Sequence, residues 1–360
     1  MSSLYVHIPF CKSICSYCDF AKVFYKKDWA FSYLKALKKE LESYKNSRYD
    51  TIYIGGGTPT SLEDSLFEEL LKSLSPLRKE KCEWSVESNP ECLSDAKLEL
   101  LKKYGVNRLS IGIQSSNASL LSLLERKHTF LEAENAIKMA KEKGFMNINV
   151  DLIYALQGES IDILDSDISS FLALEVPHIS AYTLILEEGT KLKRDNYLPL
   201  SEDEEASQYE YLSQKLEENG YSHYEISNFA KKGYECQHNL VYWKDQEYDA
   251  IGLGASGYKD NIRYSNTKNL SSYLKGNCRA SEEKIDFSSG LEYFFITNLR
   301  LQEGFSLVEF EERFTFSFEE KYRKEIDSLG KNGLLTIEKG HVKATKKGFL
   351  LLDRILLELI

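Results

Sequence analysis

Six short β-branched runs, each followed by a stretch of helical periodicity, fill the first two thirds of the chain and leave it few folds to choose from. The candidate strands are Leu4–Ile8, Thr51–Ile54, Trp84–Glu87, Arg108–Ile113, Asn147–Ile153 and His178–Leu184. Between them, apolar residues recur at helical spacing in Trp29–Tyr44, Leu62–Leu74, Asp95–Lys103 and Phe130–Lys143. This alternation predicts an α/β fold with a parallel sheet, either open and doubly wound or closed part-way as a TIM-like (β/α)6 barrel. Polar or glycine-rich residues recur just after the strands, at Gly55–Thr58, Glu87–Pro90, Gln114 and Asp151. Any one of them is explained by a helix cap or a turn. All of them together favour the barrel, whose active sites are assembled from loops at the C-terminal ends of the strands.

The remaining third divides differently. Residues 1–230 are expected to form the partial barrel, 231–285 an irregular glycine-rich segment, and 286–360 a small separate unit. In that unit the pattern predicts helices at Gly290–Leu299, Ser306–Phe314 and Phe318–Leu329, two short strands at Leu335–Glu338 and Val342–Ala344, and a last helix at Lys347–Leu359. Three helices and a hairpin suggest a winged-helix-like module. Its third helix carries Glu319, Glu320, Glu325 and Asp327 against Lys321, Arg323 and Lys324, a poor surface for reading DNA. With a net charge of −10, the chain as a whole is not a nucleic-acid binder driven by phosphate contacts. The acidic run Ser201–Glu205 reads as a capped helix start rather than a metal site. The N-terminus has no basic, then apolar, signal-peptide pattern, and no apolar run approaches membrane-spanning length, so a cytoplasmic protein is expected.

Chemistry enters at Cys11, Cys15 and Cys18, spaced C-x3-C-x2-C. A zinc site would want four ligands in paired spacings, and only three cysteines lie here. A disulfide framework does not suit seven cysteines, an odd number, in a chain with no secretory signal. Three thiolates suit a [4Fe–4S] cluster with three irons held by protein and the fourth left open to a small molecule.

This spacing resembles that of the radical S-adenosylmethionine (SAM) superfamily. The resemblance implies that SAM chelates the open iron and that an electron from the cluster can cleave its sulfonium to a 5′-deoxyadenosyl radical. It also implies a radical-SAM partial barrel and a set of pocket residues. Tyr5 and Tyr17 would contact SAM, as aromatics that shield the cluster or stack on adenine. Tyr5 read alone is equally an ordinary strand tyrosine. Gly55-Gly56-Gly57-Thr58-Pro59 resembles the motif that meets the methionine amino group, glycine allowing close backbone approach. Glu87, Gln114, Arg126 and Asp151 stand in the expected order; carboxylates suit the ribose hydroxyls and the amino group, and Arg126 suits the SAM carboxylate.

Within the superfamily, Tyr224–Ala230 followed by His238-Asn239-Leu-Val-Tyr242-Trp243 resembles the haem-chaperone branch of the oxygen-independent coproporphyrinogen III oxidase-like (HemN/HemW) family. The resemblance implies haem as ligand, His238 as a candidate axial ligand, an acceptor haemoprotein (a respiratory, membrane-associated one among the options) and an electron donor. Cys236 is a second candidate ligand that the sequence does not rank against His238. Monomer and homodimer both stay open. True oxidases of this family continue C-x3-C-x2-C-x-C, whereas Phe20 stands at the last position here. The oxidase activity, decarboxylating coproporphyrinogen III propionates to protoporphyrinogen IX, is the alternative, and whether SAM is turned over is undecided. A radical-SAM enzyme acting on another substrate is a remoter reading.

Overall fold

A computed structural model describes residues 1–360. Nine strands form the main sheet: β1 (Ser3–Ile8), β2 (Tyr49–Gly56), β3 (Arg78–Ser88), β4 (Arg108–Gln114), β5 (Asn147–Tyr154), β6 (His178–Thr183), β7 (Ser222–Glu225), β8 (Asn228–Ala230) and β9 (Asp249–Ile251). Their order is β9-β1-β2-β3-β4-β5-β6-β8-β7, parallel from β9 through β6 and antiparallel beyond it. The edges β9 and β7 do not pair with one another, so the barrel is open. The six expected strands are all present, embedded in longer ladders.

Side-chain alternation decides which way each strand faces. Leu4, Val6, Ile8, Ile52, Ile54, Trp84, Val86, Leu109, Ile111, Ile148 and Val150 are buried in one core with the surrounding helices. Each such burial is worth about 1.5–3 kcal/mol. The alternate positions are mostly polar and face the barrel interior. Register places Glu87 beside Ser110, Ser110 beside Asn149, and Asn149 beside His178. Helix starts follow side-chain caps: Ser201 accepts from Glu204 N while the Glu204 carboxylate returns to Ser201 N, and Thr129 and Glu132 do the same. The acidic run at 201–205 is therefore the first turn of helix Glu202–Glu218.

The segment expected to be irregular is ordered. It supplies helix Gln237–Trp243, strand β9 beside β1, and an antiparallel sheet of Ser256–Lys259, Ile262–Asn266 and Arg279–Lys284. The barrel sheet thus draws on residues as late as Ile251. The C-terminal unit has its own phenylalanine-rich core, including Phe294, Phe295, Phe305, Phe310, Phe314 and Phe318. Its helices are Phe287–Asn298, Leu307–Phe314, the pair Phe318–Lys321 and Arg323–Lys331, broken at Tyr322, and Lys346–Leu350 and Leu352–Leu359, where the single last helix expected is broken at Leu351. A short strand Phe305–Ser306 joins the two expected strands, completing a winged-helix-like arrangement. No helix is long and apolar enough to cross a membrane.

Asp245 ties the units together. Its buried carboxylate lies 2.5 Å from Arg263 of the small sheet and 2.6 Å from Arg313 of the C-terminal unit. Burial outweighs the two arginines and leaves this carboxyl above its ordinary range. The cluster is therefore costly to assemble and costlier to break on one side. Both arginines keep contact with solvent, which softens the loss. Asp245→Ala is expected to cost about 3 kcal/mol in denaturant unfolding, the low end for breaking a buried pair; a change within about 0.5 kcal/mol would show the clamp to be idle.

Candidate functional site

The cysteine loop is closed at its base, where Phe10–Cys11 pairs in parallel with Val23–Phe24. Ser16 anchors its middle, donating from its N–H to Leu124 O and from its hydroxyl to Leu123 O. The loop lies over the C-terminal ends of the barrel strands, against the turn that follows β2. There Gly57 N–H donates to Ile8 O and Thr58 N–H to Phe10 O. Two glycines of that turn are obligatory. Gly56 has φ +119°, and a Cβ on it would stand 2.7 Å from the His7 ring; a Cβ on Gly57 would stand 2.8 Å from Cys11 Sγ.

Loop and strand ends enclose a cavity of about 420 Å³. Of the residues singled out from sequence, Cys11, Cys15, Cys18, Tyr17, Gly56, Gly57, Thr58, Glu87, Gln114, Arg126 and Asp151 all line it. Arg126 is its hub: Nη1 lies 3.3 Å from Cys15 Sγ, and Nη2 donates to Asn89 Oδ1 at 2.8 Å and to Gly112 O. Its Nε is buried without a partner, free for a further acceptor. Gln114 holds φ +77° just past a bulge in β4, where the register skips Ile113 and resumes with Gln114 beside Leu152.

Two carboxyls sit deep in this cavity yet face its open space. Burial pushes Glu87 up to about 7 and Asp151 up to about 6, hydrogen bonds opposing the shift in each. Glu87 accepts from Tyr53 OH at 2.9 Å and Gly56 N–H at 3.0 Å; Asp151 accepts from Asn149 Nδ2 at 2.7 Å. Burial also raises the Cys11 thiol to about 12, with Cys18 adding to the effect, and raises the Cys18 thiol as well. Cys11 and Cys18 therefore keep their protons when bare, and loading a metal must displace them.

The residues fit a cluster with SAM. No three His, Cys, Asp or Glu groups converge on a point that would hold a single metal ion. A cubane needs no such convergence, because each thiolate holds its own iron. The room at Gly57 beside Cys11 Sγ, the unpartnered Arg126 Nε and two carboxyls suit a zwitterionic, cationic ligand next to that cluster.

Two expected site residues lie elsewhere. Tyr5 does not line the cavity; its hydroxyl meets His7 Nδ1 at 3.0 Å, and His7 Nε2 meets Ala21 O at 2.8 Å, supporting the cysteine loop from below. His238 is 1% exposed on helix Gln237–Trp243, inside the barrel. Its Nδ1 meets Thr51 Oγ1 at 2.8 Å and its Nε2 meets Tyr242 OH at 2.7 Å. Both ring nitrogens are engaged, so the ring as placed offers no coordination position. Cys236 is wholly buried beside Glu83 at 3.8 Å. Lys244, just past the end of that helix, is paired with Glu303 at 2.9 Å. Sequence reasoning missed Asn89, which ties Arg126 to Thr58, and Tyr53, which holds Glu87. Tyr53 was visible as a polar residue on the interior face of β2, and Asn89 within the polar stretch just past the end of β3.

Residues 5–169 match the family model of the Radical SAM superfamily, and residues 291–351 that of the HemN C-terminal domain. The curated Heme chaperone HemW of Lactococcus lactis subsp. lactis (strain IL1403) is 40% identical over 357 residues, 97% of this chain and 94% of that protein. The proteins of the same name from Bacillus subtilis (strain 168) and Escherichia coli (strain K12) are 36% and 33% identical, each over 98% of this chain and 97% of theirs. Coproporphyrinogen III oxidase (HemN) from Escherichia coli, a solved radical SAM enzyme, superposes with a TM-score of 0.87 over 99% of this chain and 89% of that one. At 22% identity that likeness shows the fold alone.

Proposed function

This chain belongs to the family of the HemW haem chaperones within the radical SAM superfamily, and from that premise we propose that it binds haem and passes it to an acceptor haemoprotein. The carrying observation is the 40% identity to the Lactococcus lactis haem chaperone across 97% of the chain. Cys11, Cys15 and Cys18 hold the [4Fe–4S] cluster. Tyr17, Gly56, Gly57, Thr58, Glu87, Gln114, Arg126 and Asp151 form the SAM pocket, Arg126 taking the ligand's carboxylate and Glu87 its amino group. When bound, these cofactors supply one-electron reduction chemistry.

Haem is the cargo, and the cavity mouth suits it. Ile14 and Phe20 line that mouth from the cysteine loop, and Tyr182, Leu184 and Ile185 from the end of β6 and the segment after it. Phe20 is 64% and Ile185 73% exposed, an unusual amount of bare apolar surface above a polar floor. A planar porphyrin face covers such surface, and Lys22, which also lines the mouth, is the cation within reach of propionates. His238, buried with both nitrogens engaged, supports the barrel interior in this reading instead of ligating the iron.

The test is a haem titration of the cluster-reconstituted full chain followed by mixing with apomyoglobin as acceptor. A bound-haem spectrum that decays as the holo-acceptor spectrum grows is expected. Absence of haem binding, or conversion of coproporphyrinogen III to protoporphyrinogen IX under anaerobic reducing conditions, would overturn the proposal.

A further inference from the structure

We infer that His238 is a positioning residue of the cofactor cavity, acting through Tyr53 on the Glu87 carboxyl group. This rests on the reading of that cavity as the SAM pocket. The connection is short and continuous. The His238 ring stacks on Tyr53 with centroids 5.2 Å apart and planes 27° apart. The Tyr53 hydroxyl donates to Glu87 Oε1 at 2.9 Å, while Gly56 N–H holds Oε2 at 3.0 Å. Glu87 then faces the cavity directly.

His238 is itself fixed at both ends. Thr51 donates its hydroxyl proton to Ser3 Oγ at 2.8 Å, so its oxygen accepts from His238 Nδ1–H. Nε2 is then the acceptor of the Tyr242 hydroxyl. Burial takes the ring down to about 3, so it stays neutral wherever the protein works. A neutral ring locked by two hydroxyls is a rigid platform for a second aromatic ring. Tyr53 also meets Tyr5, with ring centroids 6.2 Å apart and planes 26° apart. Tyr53 is thus packed against two rings, with its hydroxyl aimed at one carboxylate oxygen.

The consequence reaches the ligand. A cationic amino group is held best by an ionised carboxylate, and burial places the Glu87 carboxyl at about 7. The groups facing it are Tyr53 and Gly56 as donors, Arg108 as a favourable charge and Asp151 as an unfavourable one. The Tyr5, Tyr182 and Tyr242 phenols, kept neutral by burial, complete its surroundings. The Tyr53 hydroxyl favours the ionised form. Letting that ring drift raises the carboxyl's value, so SAM affinity falls at neutral pH and recovers at higher pH.

The test measures SAM affinity by equilibrium dialysis on cluster-reconstituted full chain across roughly pH 6–9, a span centred near the ordinary range of such a shifted carboxyl. His238→Ala and Tyr53→Phe are each expected to weaken binding about tenfold at pH 7, the scale of one hydrogen bond to a charged group. Both move the midpoint of the pH profile upward. The double variant is expected to lose no more than either single one, since both act on one bond. His238→Phe keeps the stacked ring and is expected to restore affinity to within about threefold; an iron ligand could not be restored this way. Unchanged affinity and midpoint in His238→Ala overturn the inference. If His238→Ala does not fold, the Tyr53→Phe midpoint and the His238→Phe affinity decide, an unmoved midpoint or an affinity no better than Glu87→Ala counting against it. Glu87→Ala binding SAM like the unaltered chain would instead overturn the pocket assignment itself.

Discussion

Cys15→Ser protein, reconstituted anaerobically with iron and sulfide, is expected to carry close to no iron, against about four irons per chain for the unaltered sequence. The three thiols sit on one loop that is closed at Phe10–Cys11 and pinned in the middle by Ser16, so their spacing is set before the metal arrives. Each holds a separate iron, and a cubane left with two protein ligands has two irons open to solvent and exchange. The hydroxyl of serine is a harder, far less acidic donor than a thiol and does not replace it. Arg126 strengthens the case at this position, since its Nη1 lies 3.3 Å from Cys15 Sγ and offsets the charge a thiolate brings. Cys236→Ser is the control. That thiol is wholly buried beside Glu83, remote from the loop, and its loss is expected to leave iron content unchanged. Iron and acid-labile sulfide analysis reads both variants. Full iron content in Cys15→Ser would remove the basis for assigning the triad.

Much of this arrangement was legible because its signals are local. The strands declare themselves by alternation: Ile52 and Ile54 pack outward while Thr51 and Tyr53 face inward, and the same rule runs through β3 to β6. The polar residues at the strand ends were found for the same reason, and all but Tyr5 and His238 of the expected site residues line one cavity or its cysteine loop. What stayed hidden depends on distant partners. Strand β9 is three residues long and exists only because β1 supplies a parallel edge, so nothing in Asp249–Ile251 marks it beforehand. Helix Gln237–Trp243 has the same character. Its seven residues would be marginal alone and are held by Glu83, which accepts from Gln237 N–H at 3.2 Å and His238 N–H at 3.1 Å. The motif around His238 was visible, but its surroundings were not, because Thr51 stands 187 residues away. A histidine read as a ligand from its neighbours in sequence proves to be enclosed by its neighbours in space.

Charging the cavity mouth is expected to cost haem affinity about a hundredfold. In Phe20→Asp/Ile185→Asp, two apolar side chains that a porphyrin would cover are replaced by carboxylates. Complete burial of one such side chain is worth about 1.5–3 kcal/mol. A flat ligand covers each only in part, so the pair contributes about 3 kcal/mol, or roughly two powers of ten in Kd. The new carboxylates also repel propionates, and Asp19 and Glu187 on the same rim leave only Lys22 to compensate. Phe20 lies two residues beyond Cys18, so iron content is measured alongside, and Ile185→Asp alone, on the opposite loop, is expected to lose about tenfold with the cluster intact. SAM affinity should stay as it is in that single variant, because Ile185 projects into solvent at the mouth while Glu87 and Arg126 lie below. His238→Ala provides the contrast: haem affinity unchanged, since the ring is inside the barrel with both nitrogens engaged. The reverse pattern, haem lost with His238 and indifferent to Ile185, would return the iron to the histidine and require helix Gln237–Trp243 to leave the barrel when haem binds.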